Sequence, residues 1–247
     1  MSRAAGLMML GYLGGADGFY DYTGAGTMAL DINPAVGLVE SGGFIESIAD
    51  QSGNANNFAK VNDLSRPAYV AADAAYNNKP VISFTGIQML LIGPATDSFY
   101  SNTNGCHIFV VGQSSASSDH WIARWKAAEQ YVRFRTDYSI FHESVGAGGS
   151  SEGYTVQTSK TLLETWWLPS TEHRMWLNGV QEGEADATAP ASIDTGGATE
   201  WAIGATSDYS NYLNTGKIAR ILVYAQKLAD ADAAAVRAAL NAEYAIY

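Results

Sequence analysis

The clearest chemical potential in the chain lies in "EGEAD", where Glu182, Glu184 and Asp186 recur at alternate positions. On a β-strand that spacing sets side chains on one face. Two carboxylates ~5–5.5 Å apart across a glycosidic bond perform retaining glycoside hydrolysis, one as nucleophile and one as acid. The interleaved residues, however, are Gly183 and Ala185, which give a catalytic strand no bulky anchor, and the segment runs on into "ATAPAS". It reads as a solvated acidic strand edge, and the chain as a non-enzyme with no catalytic residues.

Other catalytic arrangements are weaker. His107, His120, His142 and His173 show no metal-ligand spacing. No Gly-x-Ser-x-Gly elbow occurs. "GAGTMA" follows no strand and is soon interrupted by Pro34, so it is not a dinucleotide loop. In "DQSGNANNF", Asp50, Asn54 and Asn56 offer the hard oxygens that calcium prefers, which makes Ca2+ the one cofactor to consider. Asn and Gly also serve tight loops that need left-handed backbone, and a structural turn is the stronger expectation.

Binding chemistry is richer. In "YVRFRT", Val132 and Phe134 are expected inward, leaving Tyr131, Arg133 and Arg135 outward. If Trp121 and Trp125 of "WIARWK" face in, Arg124 and Lys126 face out beside them. A tyrosine flanked by guanidinium groups can stack on a sugar ring and hydrogen-bond its hydroxyls or carboxylates. Of the adjacent Trp166 and Trp167, one must face out of a strand. The expectation is Trp167, opposite Arg174 as a cation–π pair, with Trp166 and Trp201 in the core.

The elements that must position these groups are mostly strands. "KPVISF" (79–84) and "CHIFVVG" (106–112) are β-branched apolar runs bounded by turn residues. "WIARWK" (121–126) and "QYVRFRT" (130–136) alternate as half-buried strands do. Asn178-Gly179 predicts a tight hairpin turn. "EWAIGA" (200–205) and "KIARILVYA" (217–225) complete the set. Only the carboxyl end reads as helix, with Asp230 or Asp232 as cap and Val236, Leu240 and Tyr244 as an apolar stripe.

Composition sets the outer bounds. The 247 residues are 47% hydrophobic but only 16% charged, with 25 glycines, which suits one β-rich domain with many turns. A net charge of −11 disfavours nucleic acid and anionic membrane surfaces as partners. The lone Cys106 excludes an internal disulfide, and no apolar run is long enough to insert in a membrane.

Four segments in order resemble the laminin-G-like branch of the concanavalin A-like lectin/glucanase superfamily. They are "DQSGNANN" (50–57) with "RPAY" (66–69), "NKPVISFTG" (78–86), "MWLNGV" (175–180) and "GKIARILVYAQKLADADAAAVRAALNAEY" (216–244). The resemblance implies an all-β, two-sheet antiparallel jelly-roll sandwich over 29–247, closed by a short carboxyl-terminal helix. Against the family's Glu-x-Asp-x-Glu, Glu184 departs at the centre of "EGEAD". Residues 1–28 lie outside the resemblance and read as an arm that docks on a neighbouring chain. Gly6, Gly11 and Gly14 make the same stretch a poor signal peptide.

Such domains recur in phage appendages. The resemblance therefore implies a structural or adhesion module of a virion, in a decoration, fibre or tail. Its partners would be other virion proteins or copies of itself, and cell-surface glycans are a further candidate ligand. The alternatives are an extracellular, secreted carbohydrate-binding module and a glycoside hydrolase using Glu182, Glu184 and Asp186.

Overall fold

A computed structural model describes residues 22–85, 91–93, 99, 101, 103–114, 120–126, 130–135, 138–140, 151–153, 159–186, 200–204 and 215–247. In chain order the strands are β1 (Met28–Ile32), β2 (Leu38–Ser41), β3 (Phe44–Ile48), β4 (Phe58–Lys60), β5 (Ala68–Asp73) and β6 (Lys79–Phe84). They continue with β7 (Leu91–Ile92), β8 (Cys106–Ser114), β9 (His120–Lys126), β10 (Gln130–Arg135), β11 (Tyr138–Ile140) and β12 (Ser151–Gly153). The last are β13 (Thr161–Leu168), β14 (Glu172–Leu177), β15 (Val180–Asp186), β16 (Trp201–Ile203) and β17 (Gly216–Tyr224), followed by helix α1 (Asp230–Tyr244).

Every ladder among these strands is antiparallel. One layer runs β15-β14-β13-β8-β17, and the far edge of β17 is shared by β6 and β1. Through β5 and β3 the ladder turns into the second layer, β4-β7-β16-β9-β10-β11-β12. Alternation then dictates the core. Ile108, Val110, Leu163, Trp167, Met175 and Val223 point from the first layer onto Phe58, Leu91, Ile122, Trp201 and Ile203 of the second.

The opposite face of the first layer would be an exposed apolar sheet. Helix α1 covers it: Phe109, Val111, Leu162, Leu222 and Tyr224 pack against Val236, Leu240 and Tyr244, the stripe expected from the sequence. The helix begins differently from that expectation. Ala229 is the N-cap, and Asp230 and Asp232 fall inside the first turn, where they favour the positive end of the helix dipole without capping it. At the other end Lys160 donates to the Tyr244 and Ala245 carbonyls, a cation where the dipole is negative.

Residues 22–28, assigned to the arm by sequence, belong to the sandwich. Tyr22, Ala25 and Met28 are buried beneath α1, and the Tyr22 hydroxyl donates to Glu243 Oε2 at 2.6 Å. Arg220 on β17 donates to Asp31 Oδ2 at 2.8 Å and lies 5.0 Å from the Tyr22 ring centre. The rest of the predicted arm, residues 1–21, lies outside the described residues.

The "DQSGNANNF" loop is held from within. The Asp50 carboxylate accepts from the backbone of Asp31, Ser52 and Asn56 and from the Ser52 hydroxyl. Asn54 and Asn56 donate their amide nitrogens to the Met28 and Ala29 carbonyls at 2.9 Å. Gly53 and Ala55 carry φ of 89° and 58°. These side chains tie the loop to β1, the turn-building role anticipated above.

Candidate binding site

The site forms where the covering helix meets the outer face of β8, β13 and β14. Strand parity sends His107, Glu164, Trp166, Glu172, Arg174 and Trp176 outward, since their neighbours Cys106, Ile108, Thr165, Trp167, His173 and Met175 are directed into the sandwich. From α1 come Asp230, Ala233 and Arg237, spaced as neighbours on one helical face, and Lys227 precedes the helix. Together they line a cavity of about 250 Å³.

At its floor Glu164 is 1% exposed. Arg237 Nη1 donates to both Glu164 oxygens at 2.6 Å, and His107 Nε2 lies 3.0 Å from Oε1. The Leu228 backbone N–H donates to His107 Nδ1 at 3.3 Å, so the imidazole proton sits on Nε2 and is given to Glu164. Burial holds His107 below the usual imidazole range, against the pull of Glu164. The ring stays neutral at neutral pH.

The walls are aromatic and charged. Trp166 and Trp176 lie with ring centres 6.2 Å apart and tilted by 30°. Lys227 Nζ stands 4.6 Å from the Trp166 ring centre and Arg174 5.9 Å from it, while Arg237 sits 6.0 Å from that of Trp176. Arg174 also pairs with Glu172, and Lys227 with Asp230 at 3.3 Å. Trp176 is half-buried and lines the cavity.

Several sequence expectations change here. Trp167 is fully buried, opposite Cys106 and His173, and is no exposed platform. The expected pair with Arg174 forms one residue earlier, at Trp166, because the hairpin register places Arg174 opposite Trp166. Trp166 is buried as expected, but in the wall of this cavity. Trp201 does lie in the core.

The Tyr131 cluster is divided by register. Tyr131 and Arg133 stand opposite Trp125 and Ala123, whereas Arg124 stands opposite Val132 and Trp201. Arg124 thus shares the parity of Ile122, which is buried, and not that of Tyr131. Ile122 wins the inward position because it registers with buried Ile203. Arg135 pairs with His120 beyond an irregularity after Phe134.

In "EGEAD" the ladder with β14 is irregular. Glu182 lies opposite Met175 and Asp186 opposite His173, so four steps on β15 face two on β14. The register thus carries an irregularity between these two pairs. The buried Glu164 with His107 and Arg237 was missed by sequence because the three residues lie on three separate elements. The alternation of "LLETWW" was its one local signal.

No protein-family model matches the chain, and no curated protein matches its sequence. Solved structures do match in fold. The binding domain of Paraclostridial Mosquitocidal Protein 1 superposes with a TM-score of 0.59 at 9% identity, over 87% of this chain and 52% of that one. This chain is a jelly-roll β-sandwich. Domain 4 of AbnA, a GH43 extracellular arabinanase from Geobacillus stearothermophilus solved with arabinotriose, gives a TM-score of 0.59 at 11% identity. There the sandwich covers 88% of this chain and 98% of the domain. A structure of botulinum neurotoxin type C, whose cell entry depends upon interaction with two ganglioside molecules, gives 0.57 at 10% identity, covering 87% and 51%. The sandwich spans about half the length of the two toxin chains.

Proposed function

We propose that the chain is a non-enzymatic, glycan-binding adhesion module and that the cavity under α1 is its sugar site. One observation carries this: a half-buried indole, Trp176, opens into a small cavity ringed by paired guanidinium, ammonium and carboxylate groups. Indole faces take the C–H side of sugar rings, and planar charged groups take their hydroxyls. A glycosidase needs one carboxyl group that gives a proton and a second that acts as nucleophile or base. Here Glu164, Glu172 and Asp230 are each held by a cation, which supports binding without turnover.

The proposed setting is a virion appendage, with residues 1–21 docking on neighbouring virion proteins or further copies of the chain. The likeness to the AbnA domain, of which the sandwich covers 98%, favours a second reading as an extracellular carbohydrate-binding module. Among the described residues no helix is long and apolar enough to cross a membrane. Tyr131 and Arg133, at one parity of β10, are proposed as an additional glycan contact.

A glycan array with the full chain and a Trp176→Ala variant tests the site. Binding lost in the variant is expected; no binding by the unaltered chain rejects the reading. Native mass spectrometry tests the setting, where a stable monomer would speak against assembly through the arm.

A further inference from the structure

We infer that this cavity selects a single uncharged sugar ring and discriminates against acidic ones, an inference that rests on the glycan-binding reading above. Three cations line the cavity and each already has a carboxylate: Arg237 holds Glu164, Arg174 holds Glu172, and Lys227 lies 3.3 Å from Asp230. His107 adds no positive charge, because its Nδ1 accepts from Leu228 N–H and its Nε2 serves Glu164. The lining is therefore rich in charge but balanced.

An incoming carboxylate or sulfate has to share a cation with its resident carboxylate, and it meets three negative groups while doing so. A polyol meets no such obstacle. Its hydroxyls donate to Glu172 and Asp230 and accept from Arg174 and Lys227 without disturbing either pair. Size adds a second restriction. At about 250 Å³ the cavity falls below the ~300–1,000 Å³ of pockets that enclose drug-sized ligands, so it holds one ring and leaves the rest of a chain outside.

The test sets neutral glycans against sialylated, uronic and sulfated ones on an array with the full chain, at low and high salt. Trp176→Ala reports on the site, circular dichroism checks its fold, and Lys227→Gln on the same wall is a second variant. Glu172→Gln with Asp230→Asn leaves Arg174 and Lys227 unpaired. Expected are binding of neutral glycans that salt barely changes, its loss in Trp176→Ala, and a shift of roughly tenfold toward acidic glycans in the charge-freed variant, equivalent to about 1.4 kcal/mol. Trp176-dependent binding of acidic glycans above neutral ones by the unaltered chain overturns the inference and leaves the glycan-binding reading intact. An unchanged preference in the charge-freed variant overturns it likewise. Absence of any glycan binding that depends on Trp176 or Lys227 overturns both.

Discussion

Glu164 on β13 and Arg237 on α1, 73 positions apart in the chain, meet in a two-oxygen clamp at 2.6 Å on the floor of the cavity. The clamp links the sandwich to the helix that covers it and fixes the Arg237 guanidinium against Trp176. Removing Arg237 leaves a buried carboxylate with only His107.

Breaking such a pair typically costs about 3–5 kcal/mol. With Arg237 21% exposed at its side chain, Arg237→Met is expected near the low end, about 3 kcal/mol. Urea unfolding measures it. The double variant Glu164→Gln/Arg237→Met should recover much of the loss, and equal loss in single and double variants would show that the clamp is not the cause.

His107 makes the same region sensitive to acid. Its folded pKa lies below the ordinary 6.5, chiefly through burial, so the unfolded chain binds the proton more readily. The stability this confers is complete above about pH 6.5 and is lost as pH falls from there toward the folded pKa, by up to ~1.4 kcal/mol per pH unit. Protonation of Nδ1 also ends the bond from Leu228 N–H. A His107→Gln variant should show a shallower loss over that window in pH-dependent thermal melts; identical slopes would rule His107 out.

Arg220 is the buried counterpart, 3% exposed, between Asp31 and Glu243 Oε1 at 3.8 Å. Arg220→Met takes the cation from two buried carboxylates and should cost about 3–5 kcal/mol at neutral pH. Burial already raises the Asp31 carboxyl above the usual range despite Arg220. The folded variant therefore takes up protons before the unfolded chain does, and its deficit should shrink as pH falls toward the acid range. A deficit that does not vary with pH, read by chemical denaturation, would contradict this.

Trp166 and Trp167 should separate binding from stability. Trp167→Ala removes a fully buried indole from the core and should cost about 3–5 kcal/mol. Trp166→Ala also truncates a buried indole and should cost comparable stability. It opens the cavity wall under Lys227 and Arg174, however, and should lower glycan affinity, which Trp167→Ala should leave intact in the folded protein. Calorimetric binding and melting on both variants compare the two directly. The reverse pattern would move the binding site elsewhere.

Much of the scaffold is legible in residue order. The strand over 79–84 and the helical stripe of Val236, Leu240 and Tyr244 are local patterns, and Asn178-Gly179 takes φ of 50° and 79° as a tight hairpin needs. Which face of a strand turns inward is another matter. In "WIARWK" both parities carry apolar residues, and only pairing with β16 decides for Ile122. In "TWW" the choice between two indoles falls to β8, which places Cys106 opposite Trp167. The cavity itself joins β8, β13, β14 and α1, a conjunction that no short window contains.

The pairing of β1 with β17 brings Met28 opposite Tyr224. A chain emerging from the ribosome must therefore hold β1, all five residues of which end up buried, with an unmatched edge until β17 has been made. Contacts so distant in sequence form slowly, and they form late. Arg237 emerges later still, so a nascent chain carries neither the closed sheet nor the far wall of its pocket. On the proposed reading, a chain shorter than Arg237 binds nothing through this site, and binding begins in full rather than growing by degrees.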